Sequence, residues 1–512
     1  MPLTIFAAIN VGSSDVELKI YEISGRNKIR ELDQVHSIVE LGSDTYSKGV
    51  IGYDLVNELC LVLERFKLKM EEYRVMSYIA YGTSALREAG NRDLILDQIK
   101  TRTGLKVKVI SNAEQSLLII KSVTHRLDNF EQLINEGALV LALGAGSLQL
   151  SLFEAGVFIF SQNILLGALR IREILSVLEN KSADFVSIME DYISNEIGAL
   201  KKIQLKRKKI KHIIVVGEEF SSIIDYVNAA KNKEFLTTLQ FNKIYHKLLK
   251  STPAEISKKY GIPYEMATLI IPSSIVYKQI IDETTAETLW EPRAGLCDGM
   301  AINYSESERN SCRGYLYDKD IISVARNIAG KYESDENHIN NVASFALNIF
   351  DGIKKLSGLG IRQRLLLQIA AILHDCGGYI NTVNSVISTY YIVKETEIIG
   401  LSDEEREIVA KTILFHGKDT TNIYQFNKGT MNHDDYMIMI KLSGILGIAN
   451  GMDRSHKQKI KKIRITIKGD EMKISADTIY DITLEQDMVH SKSALFEEIY
   501  GIKPVLRQKR KI

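Results

Sequence analysis

Two short hairpins of one design constrain this chain most. Ile5–Val11 reads as a strand, Gly12 opens a tight turn, and Asp15–Ile23 alternates as a second strand. The order recurs at Ala138–Leu143, the turn Gly144–Ser147 and Leu148–Glu154. The turn glycines stand 132 positions apart (144 − 12). A repeated strand–glycine turn–strand predicts two similar lobes facing a cleft; coincidence between two short hairpins is the competing reading. Val50–Tyr73 has helical spacing, Val75–Tyr81 reads as a buried strand, a helix follows from Thr83, and Leu105–Ile110 reads as a further strand. Strands alternating with helices predict an α/β half with mixed sheets.

From about residue 315 the pattern turns helical, at Ile321–Ala329, His338–Phe350, Arg362–Leu373, Ser402–Phe415 and Met437–Ala449. Ser402 and Glu405 form a capping box. KIRITIKGDEMKISA then predicts a hairpin turning at Gly469–Asp470, Leu495–Tyr500 a last helix, and the RQKRKI tail reads as frayed. The expected organisation is a first lobe over 1–125, a second over 126–305, a helical domain over 315–456 and a small α+β module over 457–512. With 65 basic against 64 acidic residues, no global field steers the chain to nucleic acid or to an anionic membrane. No apolar run approaches a membrane span. Cys60, Cys297, Cys312 and Cys376 are scattered without a CxxC, which suits a reducing compartment, and a cytoplasmic protein is expected. Lys201–His212 holds seven Lys/Arg in twelve positions, read as a solvated helix end, with polyanion binding as the alternative.

Glycine turns expose backbone N–H groups that cradle phosphate oxygens. Asn10-Val11-Gly12-Ser13-Ser14 and Gly144-Ala145-Gly146-Ser147 are two such candidates. Thr83-Ser84 opens a helix, whose N-terminus favours anions, and Arg87 one turn on would clamp a phosphate; a surface ion pair is the plainer reading of Arg87.

Four stretches carry a family resemblance. AAINVGSSDVEL is similar to the first phosphate loop, AAIDxGSNS, of the exopolyphosphatase and guanosine pentaphosphate phosphohydrolase (Ppx/GppA) family. YGTSALREAGN resembles its GTxALRxAxN signature, VISNAEQSLL its ISGxEEARL segment, and LALGAGSLQL its second loop, DIGGGSTEL. VVGEEF and AGLCDGM resemble later segments, and the C-terminal half resembles the HD-type helical domain and terminal module of longer members. The resemblance implies two lobes of the actin, Hsp70 and sugar-kinase kind, a divalent cation such as Mg2+ between them, polyphosphate or a guanine nucleotide as ligand, and a homodimer.

The departures fall on the hydrolytic carboxylates. By this resemblance Glu114 keeps one; the second-loop aspartate and glutamate become Ala142 and Gln149, and the first-loop aspartate becomes Asn10. Leu117 replaces an arginine, Gly217-Glu218 a GG turn, and Cys297 another arginine. Alanine binds no cation and glutamine takes no proton at neutral pH; losing a general base costs about 10²- to 10⁴-fold. In the helical domain, His338 with His374-Asp375 resembles an H…HD metal set, whose later aspartate falls on Asn450, with Asp453 a turn further on and His416 between. Histidines hydrogen-bonded between packed helices are the alternative. Three functions stay open: a phosphoanhydride hydrolase of weak or altered activity, a non-catalytic nucleotide- or polyphosphate-binding relative, and an HD-type phosphohydrolase.

Overall fold

The computed structural model describes residues 3–24, 28–179, 181, 184–205, 208–228, 234–307, 317–417 and 431–509. Cys312, Lys206 and Arg207 lie outside them. The chain divides into two compact units, Met1–Leu316 and Tyr317–Ile512.

The first unit holds two sheets. In one, β1 (Thr4–Val11), β2 (Asp15–Ser24) and β3 (Lys28–Ile38) form an antiparallel meander, β4 (Ser77–Gly82) runs parallel to β1, and β5 (Lys108–Val109) parallel to β4. The order is β3-β2-β1-β4-β5. In the other, β6 (Ala138–Leu143), β7 (Leu148–Glu154) and β8 (Val157–Ile164) form the meander, and β9 (His212–Val216) and β11 (Thr288–Trp290) extend it in parallel. The short β10 (Phe235–Thr237) adds an antiparallel edge. The strand plan is therefore repeated, as the hairpins predict.

The match extends to single residues. The Gly12 amide donates to the Asp15 carbonyl at 2.9 Å, and the Gly144 amide to the Ser147 carbonyl at 3.0 Å. Asn10 pairs with Glu17 across the first hairpin, Ala142 with Gln149 across the second. The central strands β1 and β6 are paired on both sides, so they read as apolar runs rather than alternating ones. Strand β3 lies at an edge and alternates half-buried with exposed residues; this charged strand goes unrecognised in the sequence. Helix Tyr53–Glu72 turns Val56, Leu59, Leu63, Phe66 and Met70 into the first lobe's core, at the spacing its sequence shows.

Several sequence expectations are corrected. The helix from Thr83 is short, Ser84–Glu88, and a new helix starts at Arg92. Leu105–Ile110 reduces to the two-residue β5. Lys201, Lys208 and Lys211 pair with Glu283, Glu154 and Glu136, the solvated-surface reading of that basic run.

The second unit packs helices Tyr317–Lys331, Glu336–Gly352, Ile361–Leu373, Asp403–Phe415 and His433–Gly451. Beyond them β12 (Lys462–Lys468) and β13 (Glu471–Asp477) form the expected hairpin, with Gly469 at φ +59° in its turn. The tail expected to fray instead places Arg507–Lys509 in β14 (Lys503–Lys509), parallel to β13. Alternate residues Pro504 and Leu506 are buried, so a period-two pattern hides in a basic segment. Among the described residues, no helix is long and apolar enough to cross a membrane.

Candidate functional site

The two hairpin turns open onto one cavity of about 540 Å³ within the first unit. Asn10, Gly12, Ser13 and Ser14 line one side, and Gly144, Ala145, Gly146 and Ser147 the other. Each turn sits between the first two strands of its meander, so one strand plan presents both loops. Among the described residues, the amides of Ser13, Ser14, Ala145 and Gly146 carry no hydrogen bond within the chain, which leaves four backbone donors at the cavity wall for an anion.

The loops are held by a small set of contacts. Ser13 Oγ meets Tyr46 Oη at 2.7 Å and accepts from the Ala85 amide at 3.2 Å. Thr83 Oγ1 donates to the Val11 carbonyl, and Ser84 Oγ meets Ser147 Oγ across the cavity at 3.5 Å. Thr83 and Ser84 both line the cavity. Arg170 stacks its guanidinium on the Tyr46 ring at 3.9 Å and donates from Nε to the Gly146 carbonyl at 2.7 Å. Gly146 has to be glycine: a Cβ there would lie 2.7 Å from Ser84 Cβ and closer still to the Tyr46 hydroxyl.

Two sequence-selected residues are placed elsewhere. Arg87 is not among the cavity-lining residues; its guanidinium donates to the Ile110 carbonyl at 2.7 Å. Glu114 caps helix Asn112–Arg126, taking the Ser111 amide at 2.8 Å and Lys108 Nζ at 2.9 Å, and is likewise absent from the lining. Its neighbour Gln115, about 100° further round that helix, lines the cavity instead. The capping-box spacing Ser111…Glu114 is legible in the sequence and is the signal that assigns Glu114 to the helix end. Cys297 is fully buried with Sγ 3.7 Å from the Ala8 carbonyl, away from the lining. Cys60, Cys297 and Cys376 are free and buried.

The wall around Asn10, Gln115, Ala142 and Gln149 is neutral. Gln149 is 4% exposed; its Nε2 donates to the Asn112 carbonyl at 3.0 Å. Its Oε1, with Asn10 Oδ1 and Gln115 Oε1, is buried without a hydrogen-bond partner. Three such amide oxygens and an alanine methyl do not fit a magnesium ion, which favours carboxylates. They accept hydrogen bonds from water or a protonated phosphate oxygen.

Charge gathers at another part of the cavity, among Asp15, Glu17, Lys19, His36, Glu218, Glu219 and Glu291. Glu219 is 8% exposed, and burial pushes its carboxyl up to about 7. Hydrogen bonding to Asp15, against the effect of burial, lifts His36 to about 9. Glu291 accepts from Ser221 Oγ and from the Arg293 amide, both at 2.8 Å. Sequence reasoning missed these residues, because His36 lies on the unrecognised β3.

The Ppx/GppA phosphatase family matches residues 20–308 and its domain III residues 322–497. The chain belongs to the Ppx/GppA phosphatase family. It is 22% identical over 337 residues to Exopolyphosphatase 1 of Mycobacterium leprae, covering 62% of this chain and 97% of that protein. An exopolyphosphatase from Cytophaga hutchinsonii superposes with a TM-score of 0.54 at 20% identity, covering 59% of this chain and 98% of that one. The Aquifex aeolicus family member gives 0.51 at 20% identity, covering 60% and 100%. The first unit thus carries the family's phosphatase region, built as two lobes on one strand plan, and the helical unit is the domain III of its long form.

In that domain the structure brings His338 and His374 together, with Nε2 atoms 3.2 Å apart. Each ring is held from behind: His338 Nδ1 by Asp453 Oδ2 at 2.9 Å, His374 Nδ1 by the Ala371 carbonyl at 2.8 Å. Asp375 makes no side-chain cap, and the carboxylate on His338 is that of Asp453. Asn450 Nδ2 meets His416 Nε2 at 3.0 Å. Burial drives His374 well below the usual imidazole range, and His416 down to about 4.

Proposed function

We propose that the protein is a polyphosphate-binding member of the Ppx/GppA family whose phosphoanhydride hydrolysis is slow. One observation carries this reading. Two phosphate-type loops with unused amides line the same cavity as Asn10, Gln115, Ala142 and Gln149, so binding groups are present where hydrolytic carboxylates are not. The residues' own chemistry is anion binding and orientation. Ser13, Ser14, Ala145 and Gly146 amides would grip terminal phosphate oxygens, while Ser84 and Ser147 hydroxyls supply further donors. No side chain in the neutral wall removes a proton from an attacking water, and that loss is worth about 10²- to 10⁴-fold in rate.

The test is paired. Isothermal calorimetry with long-chain polyphosphate, and separately with guanosine pentaphosphate, should show saturable binding. Phosphate release under the same conditions, with magnesium and with manganese, should be at least about a hundredfold below a family enzyme with all its carboxylates. Fast turnover would refute the slow-hydrolysis part, and absence of binding would refute the whole.

A further inference from the structure

Asn10 and Gln115 both line the cavity, and among the described residues neither carboxamide hydrogen-bonds anything in the chain. A carboxamide is a donor at one end and an acceptor at the other, and half a turn about its last bond exchanges the two. With neither end bonded, the fold does not fix which end faces the cavity. Gln149 differs. Its Nε2 is committed to the Asn112 carbonyl at 3.0 Å, which leaves its oxygen buried without a partner. Ala142 stands opposite Gln149 in the hairpin and adds no polar side chain. The wall therefore offers N–H donors from Asn10 and Gln115, two from each, and no negative charge.

A Mg2+ ion between a protein and a phosphate chain is commonly held by one or two carboxylates on the protein side. The carboxylates elsewhere in the cavity are engaged. Asp15 Oδ2 and Glu218 Oε1 face His36 Nδ1 at 3.5 and 3.6 Å. Glu17 Oε1 accepts from Gln34 Nε2 at 3.0 Å and lies 3.7 Å from Lys19 Nζ. Glu291 accepts from Ser221 Oγ and the Arg293 amide, and Glu219 from its own backbone amide.

We propose that this cleft takes its phosphate chain without a bridging divalent cation, the carboxamides of Asn10 and Gln115 donating to the phosphate oxygens. The proposal rests on the reading of the cavity as a polyphosphate site and states the form of the ligand: the free polyanion, not its magnesium complex. Neutral donors hold an anion when several converge on it, and here the Ser13, Ser14, Ala145 and Gly146 amides join the two carboxamides at one cavity. A chain already coated with Mg2+ has fewer free oxygens for these donors. The cation therefore competes with the protein instead of assisting it.

The test is calorimetry of the full chain with long-chain polyphosphate, in EDTA and again in excess Mg2+. Binding in EDTA should be saturable, and Mg2+ should leave it unchanged or weaken it. Asn10→Ala and Gln115→Ala should each weaken binding in EDTA about tenfold or more, the scale of a hydrogen bond to a charged group. Asn10→Asp combined with Gln115→Glu keeps both shapes and reverses the logic. Its two carboxylates should repel the free polyanion, a loss of at least about tenfold in EDTA, and Mg2+ should restore the affinity. A melting curve on each variant separates lost binding from lost fold. A parent affinity that rises tenfold or more on adding Mg2+ would overturn the proposal and leave the polyphosphate reading standing. No binding in either buffer would overturn both. Undiminished binding in EDTA by the Asp/Glu double variant would show that these side chains do not face the phosphate, and would overturn the proposal as well.

Discussion

Arg170 in the second lobe holds both carboxylate oxygens of Glu88 in the first, each at 2.7 Å from one guanidinium nitrogen. The same guanidinium reaches the Gly146 carbonyl and lies over Tyr46, which in turn meets Ser13. One side chain thus spaces the two phosphate-type loops. Its exposure is 10%, so truncation leaves a poorly hydrated Glu88 and an open seam.

Arg170→Ala should lower unfolding free energy by about 3 kcal/mol, the scale for breaking a largely buried pair, and weaken polyphosphate binding. Arg170→Lys should recover part of the stability but less of the binding, because a single ammonium cannot hold Glu88 and the Gly146 carbonyl from two separate nitrogens as the guanidinium does. Chemical denaturation and calorimetry on the same preparations check both. Unchanged binding in Arg170→Ala would show that loop spacing does not depend on this contact.

Restoring charge to the neutral wall should restore rate. Ala142 and Gln149 face each other across one hairpin, so Ala142→Asp with Gln149→Glu places two carboxylates side by side. Adding Gln115→Glu supplies the third position that lines the cavity. The triple variant should hydrolyse polyphosphate about 10- to 100-fold faster than the parent in magnesium, within the range a general base contributes. Glu114→Gln should leave rate nearly unchanged and cost only about 0.5 kcal/mol of stability, the ion pair with Lys108, because glutamine keeps the capping box as Gln240 does for Thr237. A Glu114 variant that abolishes turnover would return Glu114 to the catalytic role.

Polyphosphate affinity should fall as pH rises from 6 to 8. The folded Glu219 carboxyl titrates near 7, raised by burial from its ordinary 4.5. It is neutral below that point and anionic above it, adding a negative charge to the cavity wall. Internal phosphates are fully ionised throughout, and His36, near 9, stays protonated. A decrease of roughly tenfold is expected; burial raises the neighbouring Glu218 to about 7 as well, so Glu219→Gln should lessen the slope and Glu218→Gln with Glu219→Gln should flatten it. A profile equally steep in that variant would place the titrating group elsewhere.

In domain III, Asp453→Ala should destabilise the protein by about 1–3 kcal/mol, because it strips a buried partner from His338. Asp375→Ala should cost less than about 0.5 kcal/mol, having no side-chain bond to lose. Urea denaturation compares the two. Equal losses would mean that Asp375 contributes to the histidine cluster after all.

The fold was legible where local chemistry repeats. Gly12 and Gly144, each directly after a buried strand end, announced both hairpins, and the capping box at Ser402 fixed its helix start. The edge strands β3 and β14 were not legible, because charged residues on their exposed positions mask the alternation. For the site, Asn10, Ala142 and Gln149 could be chosen from the sequence because the family resemblance sets its carboxylates at those positions. Gln115 was passed over, although the capping-box spacing Ser111…Glu114 separates the two by giving Glu114 to the helix end.

The sequence by itself determined the two glycine loops, the neutral residues flanking them and the family. Those follow from residue identity and short-range order, which backbone sterics and hydrogen bonding read directly. Only the tertiary structure decided that Gln115 lines the cavity, that Arg87 turns away, and that Asp453 rather than Asp375 holds His338. It also brought Asp15 and His36 beside Glu218, which stands about 180 positions further along the chain. Such meetings depend on how strands and helices pack around a shared core, where direction and distance are set by contacts that no local pattern encodes.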